Sequence, residues 1–166
     1  GEVASYAGNN PGDVNNWSLQ GIYDIGDVMG REAAINIAGD LAFGTIDGII
    51  PLSAAVSKDP AQLKVASIAS NIAPDWARDV ALANSPWRVT RWPRGNMLIA
   101  TPIGAIADSR IYVSNLSTGA WATITGWNVG DIQALGTGLY LGSKDGTINR
   151  AWLGGTDKGA PFVCRG

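Results

Sequence analysis

A twelve-residue pattern occurs twice in this chain, and a chain that repeats itself folds as copies of one supersecondary unit rather than as one irregular domain. Gly39-Asp40-Leu41-Ala42-Phe43-Gly44-Thr45-Ile46-Asp47-Gly48-Ile49-Ile50 matches Thr137-Gly138-Leu139-Tyr140-Leu141-Gly142-Ser143-Lys144-Asp145-Gly146-Thr147-Ile148. The shared core is Leu-x-aromatic/Leu-Gly-Ser/Thr-x-Asp-Gly-x-Ile. Alternating apolar residues make one strand, and Asp-Gly supplies the positive-φ residue of a tight turn before the next. Upstream of each copy, Asn16-Trp17 before Gly21-Ile22-Tyr23 resembles Ala120-Trp121 before Thr125-Gly126-Trp127, with a different spacing to the Asp-Gly turn. A third hairpin is expected over Arg110 to Ile124, turning at Asn115 to Gly119, and Asn96 to Pro102 is its expected innermost strand.

The composition agrees with such a fold. Among 166 residues there are 22 glycines and seven tryptophans, with turn signals recurring about every ten residues, as in all-β chains of short antiparallel strands. The content of 46% hydrophobic and 16% charged residues is that of a folded domain. The expected fold class is mainly β: antiparallel, β-propeller-like blades, about two of them, with a short helical insertion. Residues 1–56 form the first blade-like unit, 57–85 the insertion and 86–166 the second unit. A propeller has about four to eight blades, each burying its faces against neighbours, so two blades require partners or further sequence. The absence of an initiator Met, and an end at Phe162-Val163-Cys164-Arg165-Gly166 that reads as another strand, point to a fragment or a processed product.

Within the insertion the period changes. Asp59 before Pro60 is an N-cap signal with proline in the first turn, and Leu63, Ala66, Ala69 and Ile72 recur at helical spacing, predicting a helix over 60–71. Pro74 opens a second short helix through Ala83, with Asp75 near its positive end.

Charge and residue inventory narrow the function. Twelve basic against fourteen acidic residues leave a net charge of -2, without a chain-wide field to attract nucleic acid or an anionic membrane. No apolar run approaches the ~18 residues of a membrane span, and the start lacks a signal-peptide pattern. There is no histidine, which removes Ser-His-Asp and Cys-His catalysis and the usual neutral-pH base, and the single cysteine, Cys164, excludes an internal disulfide. A glycosidase-like pair would have to come from Asp24 and Asp27 or from the scattered Asp47, Asp108, Asp131 and Asp145, most of which turn roles explain without strain. Ser143-Lys144-Asp145-Gly146 lacks the spacing of the sialidase Asp-box, and Gly136-Thr137-Gly138 precedes a strand where a dinucleotide fingerprint should follow one. Neither an enzymatic activity nor a cofactor or metal is therefore expected.

One charge concentration stands out. Trp87-Arg88-Val89-Thr90-Arg91-Trp92-Pro93-Arg94 has the composition of a protein–protein hot spot, of a nucleic-acid grip, or of an ordinary blade edge. Together with Leu63, Ile68, Ile72 and Trp76 from the insertion, with Arg78 nearby, it defines an expected interface of Leu63, Ile72, Trp76, Trp87, Arg88, Arg91, Trp92 and Arg94. Trp17, Trp121, Trp127 and Trp152 are expected to pack between blades, with sugar stacking as the alternative use.

Several ordered segments carry a family resemblance: Asp47 to Ala55, Ile72-Ala73-Pro74-Asp75-Trp76, Trp92 to Met97, Asn115 to Trp121, Thr125-Gly126-Trp127 and Asp145-Gly146. Spanning about residues 39 to 160, they resemble a group of tailed-bacteriophage virion structural proteins, themselves similar in style to the propeller-bearing neck and tail-nozzle proteins of short-tailed phages. The resemblance implies a non-enzymatic virion component of the neck or tail, at a nozzle or head-to-tail connection. Its partners would be other tail and neck proteins and copies of itself, forming a ring whose lumen passes DNA without reading its sequence. The alternative from a different class is a carbohydrate-binding β-propeller that recognises a host glycan.

Overall fold

The computed structural model describes residues 1–104, 110–127 and 129–153, together with the backbone of two short pairs near the end. The chain is mainly β, and its small antiparallel sheets do not close into a barrel among the described residues. It divides into two compact units, Gly1–Val89 and Thr90–Gly166.

The first unit opens with a hairpin of β1 (Glu2–Gly8) and β2 (Trp17–Asp24). Next comes a three-stranded meander of β3 (Ala34–Ile37), β4 (Asp40–Thr45) and β5 (Gly48–Pro51). The β3–β4 loop is Ala38-Gly39, both at positive φ (52° and 85°), as a two-residue turn matching strand twist requires. Helices follow: α1 (Leu52–Ser57), α2 (Leu63–Ala66) and α3 (Ala73–Ala83). Ile25, Phe43, Ile50, Ala55 and Leu63 form the buried cluster, with Val3, Tyr23 and Leu52 packed against it.

A four-stranded meander, β6 (Trp87–Trp92), β7 (Met97–Pro102), β8 (Ile111–Asn115) and β9 (Trp121–Ile124), begins at the division between the units, which falls inside β6. The second unit continues with the three-stranded meander of β10 (Val129–Leu135), β11 (Gly138–Ser143) and β12 (Ile148–Arg150). A two-residue ladder joins β13 (Thr156–Asp157) and β14 (Ala160–Pro161). Trp92, Ile99, Ile111, Val113, Val129, Ile132, Leu139, Leu141 and Ala151 make the core of this unit.

Both copies of the repeat fold as hairpins. In the first, Thr45 pairs with Gly48 across Ile46-Asp47 and Gly48 takes φ 128°; in the second, Gly146 takes φ 81° inside a longer turn closed by Ser143 N–H donating to Thr147 O. The repeat reaches further than the shared residues. Ile37 pairs with Asp40 as Leu135 pairs with Gly138, and Trp17 and Trp121 each open the second strand of a hairpin, opposite Gly8 and Ser114. β1 to β5 thus correspond in order to β8 to β12. Asn115 organises the third hairpin as expected, its Oδ1 accepting from Ser117 N–H at 2.9 Å.

The mainly β expectation is met by four main antiparallel sheets, and one expectation about the helices is corrected. The uninterrupted helix over 60–71 is broken into a 3-10 turn at Pro60–Gln62, α2, an extended Ser67 and a 3-10 turn at Ser70–Ile72. The cause is local: Ile68 N–H donates to Ile49 O at 2.9 Å, and Ser67 Oγ accepts from Ile49 N–H at 2.9 Å and Ala69 N–H at 3.1 Å. Docking on β5 satisfies backbone groups that a helix would have paired internally. The helical segment lies within the first compact unit, and α1 precedes it. The second helix is as expected, α3 having Pro74 in its first turn and a left-handed Asn84 at its end. The strand expected at Phe162 to Gly166 lies outside the described residues.

Candidate interaction surface

The aromatic anchors of the expected interface turn inward. Trp76 is 1% exposed, donates its indole Nε1–H to Thr45 O at 3.0 Å, and lies 5.1 Å from the equally buried Trp87 at a tilt of 41°. Leu63 is in the buried cluster of the first unit, and Ile72 is half-buried. Trp92 is 8% exposed, donates to Thr137 O at 3.0 Å and stacks on Trp152 at 5.0 Å. While the fold is intact, Leu63, Trp76, Trp87 and Trp92 have almost no surface to offer a partner. On β6, Trp87 is covered by Trp76 and Trp92 by Trp152, and only Arg91 among its residues is fully exposed.

The arginines separate into two groups. Arg88 is drawn back to the first unit, its Nη1 at 3.1 Å from Glu32 Oε2. Arg78 pairs with Asp79 and Asp75 at 2.9 and 2.7 Å on the exposed side of α3; the Asp79 hydrogen bond leads in raising its pKa, without consequence for a group already protonated. Arg91 and Arg94 are exposed and make no ion pair among the described residues. Of the expected interface, these two are the side chains left on the surface.

Trp76, Trp87 and Trp92, assigned to an interface, are buried; Trp17, Trp121 and Trp127 are half-buried, Trp127 being packed against the core of the second unit, and Trp152 is 44% exposed. Trp152 holds a positive φ of 50°, with Trp92 stacked on it and Trp127 edge-on at 5.9 Å. Sequence reasoning missed this three-ring group because its members come from three separate turns and strands.

The aspartates serve turns. Asp24 Oδ1 accepts from Gly26 N–H at 2.9 Å, Asp145 from Thr147 N–H at 3.0 Å, and Asp131 from Ile132 N–H at 2.8 Å, while Asp47 pairs with Lys64 at 3.1 Å. Asp24 and Asp27 flank the amino group of Gly1 at 3.9 and 3.5 Å. Asp108 lies outside the described residues. An open cleft lined by Asp24, Asp47, Leu63 and Lys64, among others, lies in the first unit, with its Asp47–Lys64 charges already paired. Among the described residues no group of three or more acidic or cysteine side chains is placed to hold a metal, and no helix is long and apolar enough to cross a membrane.

A different surface is conspicuous by its uncovered apolar area. The face of the first hairpin carrying Ala4, Tyr6, Leu19 and Ile22 is open, with Tyr6 51%, Leu19 49% and Ile22 57% exposed. Tyr6 stacks on Trp17 at 5.8 Å and 8°. Comparison with known proteins adds nothing to this geometry: no family model, curated protein or solved structure matches the chain.

Proposed function

We propose that the chain is a non-enzymatic structural component of a tailed-phage virion, at the neck or tail, working through contacts with other tail proteins and with copies of itself. The observation that supports the reading is the succession of antiparallel meanders in which β1 to β5 repeat as β8 to β12, a repetition that consecutive propeller blades would produce. It accords with the ordered phage-like segments of the sequence. Blades expose their outer strands and loops to neighbours, and Arg91, Arg94 and the open face of the first hairpin are the side chains available for such contacts. Mass spectrometry of purified particles tests the proposal. Peptides of the chain should be present at a fixed ratio to the other tail proteins, and a stable monomer absent from particles refutes it.

Binding of a host glycan is the second reading, favoured by one observation: Trp152 is partly exposed, held at a positive φ and braced by Trp92 and Trp127, as a rigid stacking platform requires. On a glycan array, signal lost in Trp152→Ala but kept in Trp17→Ala supports this reading, and the absence of any array signal dismisses it.

A further inference from the structure

The division into two compact units also divides the charge. Gly1–Val89 holds five basic against ten acidic residues, a net -5, and Thr90–Gly166 holds seven against four, a net +3, so the overall -2 conceals two units of opposite sign. Copies of such a chain attract one another where unlike units meet and repel where like units meet.

The acidic side is concentrated on the first hairpin. Residues 1–30 hold four carboxylates, Glu2, Asp13, Asp24 and Asp27, and no basic residue. Glu2 stands directly opposite Asp24, at one end of the open face that carries Ala4, Tyr6, Leu19 and Ile22, and both carboxylates are exposed. The amino group of Gly1 lies 3.9 Å from Asp24, and Glu2 has no ion pair among the described residues. Like charges directly opposite on a sheet destabilise it, and a cation placed over both relieves the repulsion. Further along the face, Tyr6 lies parallel to Trp17 at 5.8 Å and 8°, a flat aromatic surface of the kind on which guanidinium groups stack. Paired carboxylates and stacked rings on one face suit arginine better than lysine, because the planar guanidinium both forks to carboxylates and stacks.

The second unit has arginines that match. Arg91 and Arg94 are exposed and make no ion pair among the described residues. They are three residues apart, no more than about 11 Å of chain. Glu2 and Tyr6, four residues apart on β1, are separated by about 13 Å. Two long side chains cover that difference, so one guanidinium can lie on the carboxylates while the other lies on the rings.

From this we infer that the open face of the first hairpin in one copy of the chain receives Arg91 and Arg94 of another copy, one over Glu2 and Asp24 and the other over the Tyr6–Trp17 stack. Charge commits the occupant: the acidic face belongs to the negative unit, and its complement is on the surface of the positive one. Because the contact joins two different surfaces, it propagates from copy to copy and makes a ring where the rotation closes. Its ion pairs are exposed, so it is weak and salt-sensitive in free solution and becomes dominant where copies are held close together. The inference deepens the assembly reading and rests on it in taking a copy of the same chain as the partner.

Sedimentation of the full chain over a range of concentrations tests it. Self-association beyond the dimer is expected at high concentration, and raising the salt from ~50 mM to ~500 mM should weaken it. Arg91→Glu with Arg94→Glu should weaken it roughly tenfold or more, and so should Glu2→Arg with Asp24→Asn, in which the asparagine keeps an oxygen for Gly26 N–H. Each of these two chains retains one competent surface, so an equimolar mixture should form dimers that grow no further. Far-UV circular dichroism and the melting midpoint confirm that each variant is folded. Should the glutamates prevent folding, Arg91→Gln with Arg94→Gln replaces them with a smaller expected loss. Self-association that both variants leave unchanged, or a mixture that dimerises no better than either chain alone, overturns this contact while leaving self-assembly standing. A wild-type chain that stays monomeric up to near-millimolar concentration at low salt overturns it as well, and the particle mass spectrometry then judges the assembly reading separately. A short DNA duplex bound by such a monomer and released by Arg91→Glu with Arg94→Glu would assign the arginines to nucleic acid instead.

Discussion

Replacing Trp76 separates a core role from an interface role. The ring is 1% exposed, hydrogen-bonded to Thr45 O at 3.0 Å and packed on Trp87 at 5.1 Å. Truncation of a buried Trp to Ala costs about 3–5 kcal/mol. Within that figure the indole hydrogen bond represents ~1 kcal/mol and the ring pair ~0.5–1.5 kcal/mol. A unit the size of Gly1–Val89 has a net stability of about 4–13 kcal/mol. Trp76→Ala is therefore expected to remove about a quarter or more of it, and Trp76→Phe, which loses the hydrogen bond and some volume, about 1–3 kcal/mol. Urea unfolding followed by far-UV circular dichroism reads both changes, since the fluorescence of the removed ring plays no part in that signal. A Trp76→Ala chain that unfolds at the wild-type urea midpoint yet fails to enter particles would refute the packing argument and return Trp76 to the interface.

Further outcomes follow from single contacts. Ser67→Ala deprives the buried Ile49 N–H of its acceptor and should cost about 1–3 kcal/mol, seen as a lower urea midpoint of the first unit. Gly95→Ala places a Cβ 2.2 Å from Cε3 of Trp92, so the ring must move; destabilisation of about 1–3 kcal/mol and a red-shifted tryptophan emission are expected. Ala38→Asn, in the exposed two-residue turn where φ is 52°, should stabilise by about 0.5–1 kcal/mol in a thermal melt, because asparagine tolerates that conformation better than alanine.

Legibility of the fold in the sequence followed the range of the forces involved. The Asp-Gly hairpins, the Asn115 turn and the α3 boundaries were readable because each depends on residues within a few positions: a glycine at positive φ, an Asx side chain, a proline in a first turn. The broken helix was not, since Leu63, Ala66, Ala69 and Ile72 keep a helical period while the bonds of Ile68 and Ser67 to Ile49 override it from outside the local window. The strand Trp87–Trp92 was read for its arginines and tryptophans, and its composition gives no indication that Trp76 and Trp152 cover its tryptophans. Of the expected interface, only Arg91 and Arg94 remain fully at the surface.

A high-resolution cryo-EM map of the assembled particle tests the central claim most directly. The account predicts density for several copies of the chain at the neck or tail, each with its meanders arranged as consecutive blades. A particle whose neck and tail are fully traced without this chain would contradict it.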